Sequence, residues 1–218
     1  MNQLEEKIYS MRKGLMSKGI DKIIAFSGSS ESGDSAHELA RESIDVFKNH
    51  NAAILTGGTT WGLPNAVAEY AKSHNIPVIG VLPERGRKYV SKHLDFAIEV
   101  AAKYGDSEWG DDSEVFAKLV NGVEIIGGGM GTMIEFSHIM KINESRIKYH
   151  LPVIYVAPVK TGEEDFSSVI YRLPLKAEVR DTCMPEKLFI NGKSAAKFLV
   201  ERLKLVYGDN EFLTEVKI

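Results

Sequence analysis

Val123-Glu-Ile-Ile-Gly-Gly-Gly-Met-Gly-Thr-Met-Ile-Glu135 decides how this chain is read. Val123 to Ile126 read as a short buried strand. Gly127, Gly128, Gly129, Met130 and Gly131 follow, and after Thr132 the pattern turns helical, with Met133, Phe136, Ile139 and Met140 at three- and four-residue spacing. A strand, a glycine turn and a helix start in that order make an anion site. Glycines let the backbone come close to a ligand and take positive φ. The N–H groups at a helix start lack intrahelical acceptors, and the helix dipole behind them favours a phosphate. Thr132 adds a hydroxyl and suits a cap position. Glu135 stands about one turn into the helix, on the side that leans back over a bound anion. The same residues also suit a plain strand-to-helix turn. Their spacing is neither the dinucleotide fingerprint Gly-x-Gly-x-x-Gly nor a P-loop, since no Gly-Lys-Ser/Thr follows.

Upstream, the pattern repeats. Residues 2–18 carry an apolar stripe of Leu4, Ile8, Met11 and Leu15, and Gly19 stops that helix. Lys22 to Phe26 is a near-continuous apolar run, the sign of a strand covered on both faces and so of a parallel sheet. The polar loop Ser27 to Ser35 leads to a helix over 36–48; the loop either binds a ligand or merely turns the chain. Ala52 to Leu55 is a second strand, Thr56-Gly-Gly-Thr-Thr-Trp-Gly62 a second glycine turn, and residues 63–73 its helix, with Pro64 acceptable in the first turn. Pro77 to Leu82 is a third strand. The basic stretch from Pro83 to His93, with Arg85, Arg87, Lys88 and Lys92, leaves a strand's C-terminal end. It reads as a solvated loop or as a phosphate clamp. Asp95 to Val100 is a candidate fourth strand. Trp109, in a polar stretch, either stacks on a base or anchors its loop. Downstream lie a strand over 152–157, a short helix over 165–171, a short strand over 188–190 and a closing helix over 192–207. Strand–helix alternation of this kind gives right-handed crossovers and a parallel sheet.

The bulk figures set bounds. The chain has 218 residues, 44% hydrophobic and 26% charged, with a net charge of −3. That size fits one α/β domain, here residues 1–218, with a core that needs no staples. The charge balance argues against nucleic acid or an anionic membrane surface as partner. The lone Cys183 excludes an internal disulfide and fits a reducing compartment. The N-terminal residues alternate in charge, so no signal peptide is expected, and no apolar run reaches the roughly 20 residues of a membrane span. A cytoplasmic location follows as an expectation. There is no His/Cys cluster for zinc, so no metal is expected.

Gly128-Gly-Met-Gly-Thr-Met-Ile-Glu135 spells Gly-Gly-x-Gly-Thr-x-x-Glu, which resembles the signature of the LOG family, also called "lysine decarboxylase-like". Phe26-Ser-Gly-Ser-Ser30, Thr56-Gly-Gly-Thr-Thr-Trp-Gly-Leu63 and Val78-Ile-Gly-Val-Leu-Pro83 are similar to the family's other turns and third strand, in the same order. The resemblance implies a three-layer α/β fold, a Rossmann-like parallel sheet with helices on both faces. It also implies a homo-oligomer, a dimer or higher. LOG enzymes carry an Arg-Lys pair on the helix before the Gly-Gly-x-Gly-Thr strand, and that arginine works with the motif glutamate on the N-glycosidic bond of nucleoside 5′-monophosphates. Here the stretch reads Asp111-Asp-Ser-Glu-Val-Phe-Ala-Lys118 and lacks the pair. Relatives that bind a phosphorylated ligand without hydrolysing it, such as the molybdenum-cofactor carrier proteins, are therefore the nearer comparison.

The expectation is a binding protein for a nucleotide or other phosphorylated small molecule, with no cofactor required beyond that bound nucleotide or phosphate. Gly128, Gly129, Gly131 and Thr132 would hold the phosphate. Gly57, Gly58, Ser27, Gly28 and Ser29 would face the ligand, with Arg85 as a phosphate contact. The alternative is a nucleoside 5′-monophosphate phosphoribohydrolase, with Glu135 catalytic and an arginine of the 85–87 loop standing in for the missing one.

Overall fold

The computed structural model describes residues 2–102, 111–161 and 164–207. Six strands form one parallel sheet: β1 (Lys22–Gly28), β2 (Ala52–Thr56), β3 (Val78–Pro83), β4 (Phe96–Val100), β5 (Gly122–Ile126) and β6 (Tyr155–Val159), in the order β4-β3-β2-β1-β5-β6. Residues of β1 to β3, β5 and β6 are buried on both sides, which explains why these segments read as apolar runs without alternation. The register sets Ile24 of β1 beside Ile54 of its partner in β2 and beside Gly122 at the start of β5.

Helices cover both faces. One layer holds α1 (Gln3–Met16), α4 (Ser113–Leu119), α5 (Met130–Lys148), α6 (Phe166–Val169) and α7 (Ala177–Cys183). The other holds α2 (Asp34–Phe47), α3 (Gly62–Ser73) and α8 (Gly192–Leu203). Two apolar clusters result. Met11, Leu15, Phe116, Phe136 and Ile139 pack on one side of the sheet, and Ile44, Phe47, Leu63, Val67 and Leu199 on the other. The chain is thus the three-layer α/β Rossmann-like fold expected from its strand–helix rhythm. No helix among the described residues is long and apolar enough to cross a membrane.

Several local details differ from the sequence reading. The basic stretch after β3 is a short 3₁₀ turn over Glu84–Tyr89. The expected last strand reduces to one parallel bridge between Val159 and Phe189. The closing helix stops at Leu203, where Lys204 takes φ +51° and ends it in the left-handed region. The stretch from Leu173 to Glu186, unassigned from sequence, contains α7. The helix over 165–171 is α6 continued by a 3₁₀ turn to Arg172.

Two buried polar groups tie the layers together. The Asn143 side chain of α5 donates to the Ile154 carbonyl and accepts from its N–H, both at 2.8 Å. That fixes α5 to the chain entering β6. Glu124, in the middle of β5, is fully buried between the sheet and α2, where it meets the Ser43 hydroxyl. Its Oε2 has no partner. Burial pushes its carboxyl well above the usual carboxylate range; the Ser43 contact opposes the shift and the nearby Glu42 adds to it. Ser43 Oγ also lies 3.1 Å from the Leu39 carbonyl. The Ser43 hydroxyl thus has two acceptors within reach, Glu124 Oε1 and the Leu39 carbonyl.

Candidate functional site

The sheet order reverses between β1 and β5. Chain growth runs outward from β1 through β2, β3 and β4, then crosses back to place β5 on the other side of β1. In open α/β sheets the crevice beyond the strand ends at such a switch point is where ligands bind. A cleft of about 560 Å³ lies there. It is built from the loop after β1 (Ser27 to Ser30), the loop after β2 (Gly57, Thr59, Trp61), the first turns of α4 and α5, and apolar side chains of Phe26, Pro64 and Ile134.

Helix α5 begins at Met130, with Gly129 as its N-cap. Thr132 therefore sits three positions inside the helix, and the cap makes no side-chain hydrogen bond. This corrects the expectation that Thr132 serves as a cap. The first helical bond runs from the Met133 N–H to the Gly129 carbonyl at 3.0 Å. The N–H groups of Gly129, Met130, Gly131 and Thr132 consequently have no intrahelical acceptor. Gly129, Met130, Gly131 and Thr132 all line the cleft.

The glycines divide into two kinds. Gly127 and Gly128 have φ of +67° and +96°. A Cβ on Gly128 would meet Thr132 Oγ1 at 2.3 Å, so the turn is closed by Thr132 packing against bare backbone. Gly129 and Gly131 have no positive φ, and a Cβ on either would meet nothing within 4 Å. The glycine requirement at 127 and 128 is conformational. At 129 and 131 a side chain would project into the open cleft. Gly128 itself lines a smaller neighbouring cavity of about 130 Å³ with Gly33, Thr161 and Asp165.

The other residues expected to face a ligand also divide. Ser27, Gly28, Ser29 and Gly57 line the cleft. Gly28 has no room for a side chain, since a Cβ there would lie 2.2 Å from Leu63 Cδ2. The Ser29 hydroxyl accepts from the Glu31 N–H at 3.0 Å and is engaged by its own loop. Gly58 is not in the lining. It is buried at φ +68°, where a Cβ would meet the Gly80 Cα at 2.9 Å. Its N–H donates to Thr56 Oγ1 and its carbonyl accepts from the Ser91 N–H. Arg85 is exposed on the 3₁₀ turn and is not in the lining either. Its neighbour Arg87 makes a two-pronged contact with Glu99 of β4, both arms at 2.9 Å, and so is committed to the edge of the sheet. Neither arginine lines the cleft. Trp109 lies outside the described residues.

Glu135 accepts a hydrogen bond from the Ser27 hydroxyl, which ties α5 to the end of β1. The residue keeps some exposure along the cleft, while its carboxyl end is enclosed. That enclosure pushes its pKa from 4.5 up to about 8; the Ser27 hydrogen bond opposes the shift, and the charge of Asp112 adds to it. Glu135 is therefore largely a neutral carboxylic acid at pH 7. Asp112 lies at the N-cap of α4 and lines the same cleft. Among the described residues no lysine or arginine lines it. Lys118 of α4 is exposed and pairs with Glu114.

Sequence reasoning passed over Trp61 and Met130 as individual cleft residues. Trp61 read as part of a glycine turn. Met130 read as filler between glycines, yet it is 68% exposed on the rim. No group of three or more potential metal ligands is found among the described residues.

The architecture has solved counterparts. A molybdenum cofactor binding protein from Rippkaea orientalis superposes with a TM-score of 0.62 at 16% identity, covering 84% of this chain and 98% of that one. The molybdenum cofactor carrier protein from Chlamydomonas reinhardtii gives 0.58 at 18% identity, over 84% and 99%. DNA processing protein A from Helicobacter pylori gives 0.52 at 13% identity, over 86% and 83%. At these identities the likeness is one of fold. The last comparison corrects the exclusion of nucleic acid drawn from net charge. That protein's structure was described for its single-stranded DNA binding mode. A protein of this fold thus binds single-stranded DNA, and a whole-chain charge of −3 excludes no such partner here. No curated protein matches the chain. A family model does match from residue 21 to 171, a span that takes in all six strands and every residue lining the cleft, and by that match the chain belongs to the SLOG cluster4 family.

Proposed function

We propose that this protein binds a small phosphorylated ligand of the nucleotide type in the cleft between β1 and β5. The observation that carries the reading is the first turn of α5, whose unpaired N–H groups open onto the cleft between Gly129 and Thr132 with no side chain in the way at Gly131. A phosphate there is held by backbone donors and the helix dipole rather than by a side-chain cation. Two carboxylates at the site would oppose an anion. The neutral state of Glu135 at pH 7 removes one of them. Family membership and the resemblance to molybdenum-cofactor carriers support a ligand-binding role.

A second reading rests on Glu135 itself. A protonated carboxyl beside an aspartate is the arrangement used for acid–base work at glycosidic bonds, where environment sets the two groups apart. It favours a hydrolase acting on the N-glycosidic bond of a nucleoside monophosphate. One experiment separates the two. Purified protein is titrated calorimetrically with AMP, GMP, CMP and UMP, and the same mixtures are chromatographed for free base. Heat of binding without base release supports the carrier. Base release that disappears in Glu135→Ala supports the hydrolase. No binding of any of the four rejects both.

A further inference from the structure

The anion-facing end of the cleft leaves its apolar side unused. Trp61 lines that side, and three contacts fix where it stands. Gly62, at φ +60°, lies so close to the preceding loop that a Cβ would fall 2.3 Å from the Ser30 carbonyl oxygen. The Leu63 N–H donates to the Ser29 carbonyl at 3.1 Å. The indole and the Tyr89 ring make a T-shaped contact, with centroids 4.7 Å apart and planes at 67°. An aromatic side chain held this firmly beside a cleft meets a ligand at little entropic cost, unlike a free surface tryptophan. On the rim stands Met130, 68% exposed although it is large and apolar. Its flexible thioether chain is suited to cover a flat surface. Phe26, Pro64 and Ile134 complete an apolar wall.

We propose that Trp61 is the specificity-determining residue of the cleft, stacking on a planar heteroaromatic ring of the ligand while Met130 covers it. The inference rests on the phosphorylated-ligand reading and adds the chemistry of the ligand's other end. A sugar phosphate without a ring uses the α5 turn alone. A nucleoside monophosphate uses both ends.

The test compares the four nucleoside 5′-monophosphates with ribose 5-phosphate and adenosine. A Trp109→Phe variant leaves Trp61 as the one tryptophan, so its emission reports ring contact directly. Binding of a nucleoside monophosphate should quench that emission, and ribose 5-phosphate should not. Trp61→Ala should weaken nucleoside monophosphate binding about tenfold or more, the usual effect of losing one stacked ring, and leave ribose 5-phosphate unchanged. Trp61→Phe should recover most of the loss, and thermal melts of each variant identify one that fails to fold. Nucleoside monophosphates that bind no better than ribose 5-phosphate, or equally well to wild type and Trp61→Ala, overturn the ring contact and leave the phosphate reading standing. Adenosine binding as tightly as AMP, with ribose 5-phosphate inert, keeps the ring contact and overturns the phosphate reading. If none of the probes binds, both fall.

Discussion

Replacing Glu135 by glutamine tests the electrostatics of the cleft without touching its shape. The carboxyl has a pKa of about 8 in the folded chain against 4.5 as its ordinary value, so the folded state holds a proton that the unfolded state releases. Stability must therefore fall as pH rises from about 4.5 to about 8, at up to about 1.4 kcal/mol per pH unit, and stay level on either side. At pH 7 the full shift corresponds to about 3 kcal/mol of destabilisation. Because the cleft is open to water, we expect roughly half of that. Glutamine keeps an oxygen that accepts from Ser27 and carries no proton to lose. The variant should match wild type near pH 4.5 and exceed it by about 1–2 kcal/mol at pH 7, a rise of about 3–6 °C in melting temperature for a chain of this size. Glu124, whose pKa is also raised, is present in both proteins, so its contribution cancels in the difference. Thermal melts from pH 4.5 to 9 supply the measurement. A difference that does not vary with pH, or that grows toward acid, would refute the assignment of Glu135 as an enclosed neutral acid.

The two kinds of glycine should respond oppositely. Gly131→Val should fold with little change in melting temperature, because its Cβ meets open space, yet lose at least tenfold in affinity for a nucleoside monophosphate by calorimetry. Gly128→Ala should instead lower stability by about 1–3 kcal/mol, since alanine is strained at φ +96° and meets Thr132. Ser43→Ala should cost about 1–3 kcal/mol in chemical denaturation, because it leaves the Glu124 carboxyl buried without its hydroxyl partner. Asn143→Ala removes two buried hydrogen bonds to Ile154 and should cost about 2–4 kcal/mol, with amide exchange at Ile154 accelerated.

The fold was legible because its signals are local. Apolar runs such as Ile23–Phe26 and Val78–Leu82 declare strands buried on both faces, and a glycine turn then a helix follows β1, β2 and β5. The position of the cleft followed from those turns. What the sequence concealed depends on distances between segments far apart in the chain. Ser27 and Glu135 are 108 residues apart, and nothing in either stretch announces their hydrogen bond. Arg87 reads from sequence as available for a phosphate, whereas Glu99 of β4 holds it. The apolar periodicity begins only after Thr132, whereas the helix itself is capped by Gly129, directly after the turn at Gly127 and Gly128, where glycine and methionine carry no periodic signal. Net charge misled for a related reason. It averages over a whole surface, while partners meet local patches.

The contact of Gly62 with the Ser30 backbone has a mechanical consequence. The two loops touch there with no side chain between them, and the Leu63 N–H bond to the Ser29 carbonyl ties them at the same place, so movement of one presses on the other. The loops after β1 and β2 therefore act as one stiff jaw, welded at its hinge. Met130 and Asp112 stand at helix starts on the cleft's other side, outside that jaw. Substitutions there alter how closely the cleft closes on a ligand while leaving intact the welded half that holds Trp61 in place.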